Sequence, residues 1–459
     1  MSLLRSTDPR PVHFVGIGGA GMTGLAELFA RRGVSVTGCD AAPGDTEALT
    51  RLGVTVVAGH DAAHAADARA LVITSAMPRE HPELVAGRAL GIPVVRRAEA
   101  LGEAVNDGRV VAIAGTHGKT TTTVMTTEAL TSAGLAPTGI VGGRVAAWGG
   151  NLKFGGDQVF VVEADEYDRS FLALRPTVAV ITNVEADHLD IYRDLEDIRA
   201  TFAQFAAPSH TVVLCADDEG ATTLRLATGP QVMRYGLTSA EARVRGEPAT
   251  LGDGRTAMAV YFDGECLGDV VLQVPGLHNA RNALAAIASG LALGAGLDGM
   301  RAGLEAFTGV ERRFQRLGEA KGVLVIDDYA HHPTEVEATL SAARSAFPGR
   351  RIVVAFQPHL FSRTRDFAPQ FGSALQHADV VLLADIYPAR EQPLPGVTSD
   401  LIADVMSRDG TGPVFRGPQR DVASALARVV RPGDVVLTMG AGDITRSGPE
   451  LLQHLTVTA

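Results

Sequence analysis

Residues 113–125 read IAGTHGKTTTTVM. The familiar phosphate cradle has a glycine, four free residues and then Gly-Lys-Ser/Thr. Gly118, Lys119 and Thr120 supply the second half, but position 113 is Ile113 and the nearest upstream glycine is Gly115. The flanks decide the reading. RVVAIAG before it is a short apolar run rich in β-branched residues and predicts a buried strand. TTTTVMTTEALTSAG after it spaces Val124 and Leu130 as a helix does and stops at Gly134, a plausible helix end. Strand, glycine turn and helix point backbone N–H groups and a helix dipole at an anion. Of 41 basic residues only Lys119, Lys153 and Lys321 are lysines, so Lys119 marks a place where a compact ammonium replaces the planar arginine fork. ATP or another nucleoside triphosphate is expected at this loop.

The chain around it is 459 residues long, enough for two to four domains, each with its own core. A formal net charge of −11 and no basic patch or tail argue against a nucleic-acid partner. No apolar run approaches membrane-spanning length and MSLLRSTDPR lacks a secretion signal's apolar core, so a cytoplasmic protein without membrane insertion is expected. Cys39, Cys215 and Cys266 are scattered, with neither a disulfide framework nor a zinc spacing. Apolar strands alternate with helical stretches, which predicts an α/β protein with largely parallel sheets. One boundary is expected near residue 107 and a second within RRFQRLGEAKG, residues 312–322. Between 231 and 275 the pattern predicts an antiparallel patch at the edge of the central domain.

A second anion site opens the chain. VHFVGIGGAGMTGLAELFARRG, residues 12–33, is a strand, a glycine turn and a helix; Gly16, Gly18 and Gly21 fit G-x-G-x-x-G, and Asp40 follows Gly21 by 19 residues. This is the dinucleotide fingerprint, so an NAD-dependent oxidoreductase is a competing reading. A second, lysine-bearing anion site favours instead a kinase or ligase acting on a nucleotide-activated substrate.

Carboxylates gather near the loop. QVFVVEADEYDRSF ends a strand at Glu163, followed by Asp165, Glu166 and Asp168; TVAVITNVEADHLDIY ends one near Asn183, followed by Glu185, Asp187, His188 and Asp190. Glu163 comes first after its strand and is the preferred Mg²⁺ ligand, while several of the other acids read as solvated loop charges. His188 reads equally well as an ordinary hydrogen-bonded histidine, since imidazole suits softer metals. In VPGLHNARNALAAIA, His278 or Asn279 is expected to cap a helix, and Asn279 and Asn282 share one face where an amide can read adenine. Arg312 and Arg313 lie at the second boundary, where an arginine could reach a γ-phosphate in a closed arrangement. DDYAHHP and FQPHLFSRT follow apolar strands and put Asp328, Tyr329, His331, His332, His359 and Arg363 at the binding edge of a third sheet.

In this order GIGGAGM, GTHGKTTTT, EADEYDRSF, HNARN, GVERRFQ, DDYAHHPTE, FQPHLFSRT and MGAGDI resemble the motifs of the Mur ligases over the whole length, most closely the branch that adds L-alanine. The resemblance implies a Rossmann-like N-terminal domain for the UDP-sugar (1–106), a central P-loop-type ATPase domain (107–314) and a C-terminal Rossmann-like domain for the amino acid (315–459). The implied reaction joins L-alanine to the lactyl carboxylate of UDP-N-acetylmuramate through an acyl phosphate, with ATP and Mg²⁺, in peptidoglycan precursor synthesis by a monomer or weak homodimer. Gly115, Thr116, His117, Gly118, Lys119, Thr120 and Thr121 would hold the phosphates, and Thr120, Glu163 and His188 the magnesium. Asn279 would read adenine, with Arg313 and Asp328 also on the nucleotide. Gly18, Gly19, Gly21, Met22, Asp40 and Ser75 would bind the UDP-sugar, and Tyr329, His331 and Arg363 the amino acid, His331 also serving catalysis with Lys119, Glu163 and His188. Two positions depart from the pattern. Tyr167 stands where many relatives have serine and resembles a peptide-recycling ligase of the same family. Leu360 stands where many have arginine, leaving Arg363 to hold the amino-acid carboxylate. Neither Lys153 nor Lys321 lies in a motif for a carbamylated lysine.

Overall fold

A computed structural model describes every residue except 1, 76, 190, 252–253, 390 and 458–459, so Asp190 of the acidic stretch lies outside it. Among the described residues the strands form three sheets, mostly parallel, and the chain packs as two compact units. The fold is the expected three-domain α/β arrangement.

The first unit comprises Met1–Glu247, Ala259–Val270 and Arg281–Phe307. It opens with an all-parallel sheet in the order Thr55–Ala58, Val36–Asp40, Val12–Val15, Ala70–Ile73, Val94–Arg96. Strand order reverses between Val12–Val15 and Ala70–Ile73, where a doubly wound sheet opens a crevice at the carboxyl ends of its strands. The glycine turn leaves one of these strands and Ser75 follows the other, so both lie at that reversal.

The larger sheet runs Glu265–Leu272, Thr256–Phe262, Val244–Thr250, Gln231–Gly236, Thr211–Cys215, Val178–Ile181, Arg109–Ala114, Val159–Glu163, Thr138–Val145, Gly150–Lys153. Arg109–Ala114 pairs in parallel with Val178–Ile181 on one side and Val159–Glu163 on the other. The loops leaving these three carboxyl ends therefore meet. Asp263 and Gly264, both at positive φ (49° and 86°), join Thr256–Phe262 to Glu265–Leu272 as a two-residue hairpin, a connection only antiparallel strands can use. The expected antiparallel patch is thus present, but it is attached to the sheet by a short parallel pair, Tyr235↔Val244.

The helix after the phosphate loop, Lys119–Ser132, is buried continuously from Thr120 to Thr127. A threonine-rich helix tolerates this because Thr123, Thr126, Thr127 and Thr131 each donate a hydroxyl to the carbonyl four residues back, at 2.7–2.8 Å. On its outer side Glu128 accepts from Trp148 Nε1 and pairs with Lys153 Nζ at 2.6 Å, giving Lys153 a structural partner.

The second unit comprises Pro248–Met258, Val271–Ala280 and Thr308–Ala459. Its six-stranded sheet runs Gln315–Ala320, Val323–Asp328, Val435–Met439, Ile352–Phe356, Val380–Ala384, Phe415–Gly417, parallel throughout except at the first strand. That antiparallel strand occupies much of the stretch read from sequence as a boundary. The loops after Val323–Asp328 and Ile352–Phe356 flank the end of Val435–Met439 on one edge.

Candidate functional site

The shortened phosphate loop is held by its neighbours. Gly115 (φ 140°) leaves no room for a side chain, since a Cβ there would lie 1.9 Å from Thr182 Oγ1. Gly118 sits at φ 81°, with Asn282 Oδ1 2.7 Å from where a Cβ would be. The carbonyl of His117 accepts from Thr182 Oγ1 (2.7 Å) and Asn183 Nδ2 (3.1 Å), and the His117 N–H donates to Asn183 Oδ1 (2.7 Å). The Glu185 N–H donates to Thr116 Oγ1 at 2.9 Å. The strand end at Asn183 thus clamps a turn with fewer residues than the usual cradle. Thr120 and Thr121 begin the helix behind it, both buried.

Two carboxylates divide the work around the loop. Glu163 ends its strand as expected: Oε1 accepts from Thr120 Oγ1 at 3.0 Å, and Oε2 from the Gly142 N–H at 2.7 Å. Lys119 Nζ turns back to the Gly115 carbonyl (2.7 Å) and to Glu166, 2.7 Å from Oε2 and 3.0 Å from Oε1. Glu166, which reads from sequence as one of several loop charges, is buried, and the Tyr192 hydroxyl donates to its carbonyl at 2.6 Å. Burial, helped by Asp165, pushes the Glu166 carboxyl up to about 7 against the pull of Lys119. Burial opposes charge on Lys119, but Glu166, Asp165 and Glu163 outweigh it and hold the ammonium above its ordinary range. His188 sits at φ 53°, its Nε2 3.8 Å from Glu166 Oε1 and its ring edge-on to Tyr167 at 5.2 Å.

In the first domain Asp40 shapes the turn: Oδ2 accepts from the Gly18 N–H (3.0 Å) and Oδ1 from the Ala42 N–H (2.9 Å). A Cβ on Gly18 would meet the Pro43 carbonyl at 2.8 Å, so the turn has no room for a side chain there. The Gly19 end of helix Ala20–Arg31 is exposed, and Arg97 Nη1 packs 3.0 Å from a Cβ placed on Gly21. The Met22 side chain is buried in the core, which leaves its backbone as the part it could offer a ligand. Ser75 is exposed at the strand reversal.

Asn279 does not cap its helix, and neither does His278. The helix begins at Leu277, after Gly276 at φ 98°, and Asn279 Nδ2 donates back to the Pro275 carbonyl at 2.7 Å. Only glycine readily takes that left-handed turn, so the turn sets the helix start.

On the third sheet's edge, Asp328 accepts the N–H groups of Phe314 (2.7 Å) and Ala330 (2.8 Å), and burial raises its carboxyl to about 6. Arg312 and Arg313 stack on opposite charges as well as on Tyr329, at 4.8 and 5.1 Å from its ring; Arg312 Nε lies 3.3 Å from Asp327 Oδ2 and Arg313 Nη1 3.5 Å from Glu335 Oε1. His331 stands edge-on between Tyr329 (5.1 Å) and His359 (5.8 Å), with Nδ1 3.2 Å from Glu335 Oε2. Arg363 is buried, with Nη1 3.4 Å from His359 Nδ1. Leu360 starts the Arg363 helix at φ 70°, a left-handed conformation rare for leucine, and is buried.

The structure therefore gathers Gly115–Thr121 with Glu163, and Tyr329 with His331, which His359 links to Arg363. Sequence reasoning missed Asn183 as the clamp, Glu166 as the lysine's partner and Arg97 beside the glycine turn. Only Glu166 carried a signal, its place in the acidic EADE run.

Three family descriptions match consecutive segments: "Mur ligase family, catalytic domain" over 11–109, "Mur ligase middle domain" over 113–290 and "Mur ligase, glutamate ligase domain" over 312–442. The chain is 47% identical to the UDP-N-acetylmuramate–L-alanine ligase of Streptomyces avermitilis, over 97% of both chains. To the enzyme of that name from Salinibacter ruber it is 46% identical, over 97% of this chain and 95% of that one. Among solved structures it resembles a UDP-N-acetylmuramate-alanine ligase from Thermotoga maritima, with TM-score 0.82 and 30% identity over 98% and 100% of the two chains. A murein peptide ligase from Psychrobacter arcticus matches with TM-score 0.70 and 26% identity, over 97% and 98%.

Proposed function

This chain belongs to the Mur ligase family, and from that premise we infer that it joins L-alanine to the lactyl carboxylate of UDP-N-acetylmuramate, converting ATP to ADP and phosphate. The reading rests on relatives of that activity at 46–47% identity across nearly the whole chain, together with a lysine-bearing phosphate loop at the meeting point of three parallel strand ends.

A carboxylate is a poor electrophile, so the γ-phosphoryl group passes first to the lactyl carboxylate, giving an acyl phosphate and ADP. The neutral amine of L-alanine attacks that carbonyl, a tetrahedral intermediate forms, phosphate leaves with the C–O bond, and the amine loses a proton. Lys119 and the N–H groups at the start of its helix stabilise charge on the transferred group. Lys119 then exchanges its bond to Glu166 for phosphate oxygens. Thr120 Oγ1 and Glu163 Oε1, 3.0 Å apart, are two hard oxygens that suit Mg²⁺. Bound there, the ion would offset phosphate charge; His188, beside Glu166, is the third candidate of that set. Gly18, Gly19, Gly21, Met22, Asp40 and Ser75 at the first sheet's reversal, with Arg97, would take the UDP-sugar, and Arg363 with His331 and Tyr329 the amino acid. Asn279, Arg313 and Asp328 remain the nucleotide candidates outside the loop, and the boundaries at 106/107 and 314/315 the domain divisions. No helix among the described residues is long and apolar enough to cross a membrane, and a cytoplasmic enzyme, monomeric or weakly dimeric, fits the reaction.

Tyr167 keeps a tripeptide in view as the alternative to alanine. A phosphate-release assay with UDP-N-acetylmuramate, ATP and Mg²⁺ separates the two, comparing L-alanine, glycine, L-serine and the tripeptide. L-Alanine should give the highest kcat/KM. Preference for the tripeptide would assign the recycling reaction, and NADH turnover without phosphate release would overturn the ligase.

A further inference from the structure

The first domain holds a second constellation that the ligase chemistry does not use. His13 on strand Val12–Val15, Cys39 on Val36–Asp40, His64 on the short helix Ala63–Ala66 and Glu83 on helix Pro82–Ala89 turn one donor atom each to a common point, all within 4.8 Å of one another. Cys39 Sγ lies 3.0 Å from Glu83 Oε1 and 3.4 Å from His13 Nε2, and His64 Nδ1 lies 3.2 Å from Glu83 Oε1. His60 stands beside them, its Nδ1 3.2 Å from Cys39 Sγ. His13, Cys39 and Glu83 are buried, at 3%, 0% and 0% exposure, so the group is far from a solvated surface cluster.

We propose that His13, Cys39, His64 and Glu83 form a structural zinc site beneath the glycine turn. Bond lengths of about 2.0 Å to nitrogen or oxygen and 2.3 Å to sulfur put neighbouring donors of a tetrahedral ion roughly 3.3–3.6 Å apart. The contacts of 3.0–3.4 Å are close to that spacing. A thiolate with two imidazoles selects zinc over magnesium. A divalent ion also neutralises the buried carboxylate and the thiolate, whose proton leaves to solvent on binding. The other nitrogen of His13, Nδ1, is 2.9 Å from Thr37 Oγ1, an outer contact of the kind that fixes the ring and aims Nε2 at the ion. The position gives the ion a task. The Cys39 carbonyl accepts the N–H groups of Gly16 (2.8 Å) and Ile17 (3.0 Å), and the next residue, Asp40, holds Gly18. Anchoring Cys39 to Glu83 therefore fixes the strand end from which the glycine turn hangs.

The test uses the full chain carrying Cys266→Ser, which removes the exposed thiol. Titration with Co²⁺ should saturate at one equivalent with a near-ultraviolet thiolate-to-cobalt band and the intense visible bands of a tetrahedral ion, and Zn²⁺ should bleach both. Cys39→Ser should remove the thiolate band, and His64→Ala, on a half-exposed helix and therefore safer for folding, should weaken binding by about 10-fold or more. Absence of the band in the folded Cys266→Ser protein would overturn the site. So would a band unchanged by Cys39→Ser, which points to Cys215, or an affinity unchanged by His64→Ala. The competing state, a metal-free hydrogen-bonded network in which the thiol donates to Glu83, predicts the first of these results.

Discussion

Lys119 Nζ lies 2.7 Å from Glu166 Oε2, with 14% of the lysine side chain and 4% of the glutamate side chain exposed. The cation proposed to meet the phosphates is thus held by a buried carboxylate 47 residues away in sequence. Its ammonium also bonds the Gly115 carbonyl, so it lies folded over its own loop. If Lys119 binds phosphate as proposed, these contacts are replaced, and Glu166 competes for the lysine as well as anchoring it.

Lys119→Ala should lower kcat by on the order of 10²–10³, because the cation that offsets charge on the transferred phosphoryl group is lost. Lys119→Arg should also be poor, since the planar fork cannot fold back over the loop as a point charge does. Steady-state phosphate release measures both. A rate near that of the unmodified enzyme would remove the loop from the mechanism.

Glu166 should leave a signature in the pH dependence of stability. Its carboxyl is held at about 7 against an ordinary 4.5, so the folded chain binds this proton more tightly than the unfolded chain. The stabilisation is complete below about pH 4.5 and is lost as the pH rises through about 7. Asp328, held at about 6, slopes in the same direction, so the comparison must be made against a variant. Denaturant midpoints of the nucleotide-free protein should fall less steeply between pH 4.5 and 7 in Glu166→Gln than in the parent. Parallel curves would show that Glu166 does not titrate in this window.

Glu163→Ala should raise the Mg²⁺ concentration needed for half-maximal rate and lower turnover, while UDP-sugar binding persists. The carboxylate supplies a hard oxygen beside the Thr120 hydroxyl, and Thr120→Val should shift the titration in the same direction. Magnesium titrations of the two variants decide the matter. If neither moves, the ion is held elsewhere, with Asp165 and Glu166 the next acids to test.

Arg363→Ala should raise KM for L-alanine far more than KM for ATP or the UDP-sugar. A guanidinium holds a carboxylate through two parallel hydrogen bonds, and Leu360 offers no second cation. The loss should be about 2–5 kcal/mol if the pair is desolvated in the complex. Arg363 is buried against His359, so a melting curve of the variant must accompany the kinetics. An unaltered alanine KM in a folded variant would put the carboxylate nearer His331.

By itself the sequence determined the elements and their chemistry wherever the requirement is local. Arg109–Ala114 reads as a strand because its residues are apolar and β-branched, and it is buried from Val110 to Ala114. Glu163 reads as a strand-end ligand because it follows the last apolar residue of its run, and it does end that strand. Local signals also misled: Asn279 looks like a cap, yet Gly276 at φ 98° turns the chain two residues before His278. Only the tertiary structure decided which distant groups meet. Asn183 clamps His117 from 66 residues away because their strands are parallel neighbours. Cys39, with no zinc spacing in the sequence, meets His13, His64 and Glu83 because two adjacent strands, the segment after the third and a covering helix bring them together. Propensity and periodicity act over a few residues, whereas strand order is set by how whole elements bury their apolar faces, and strand order brings these side chains into contact.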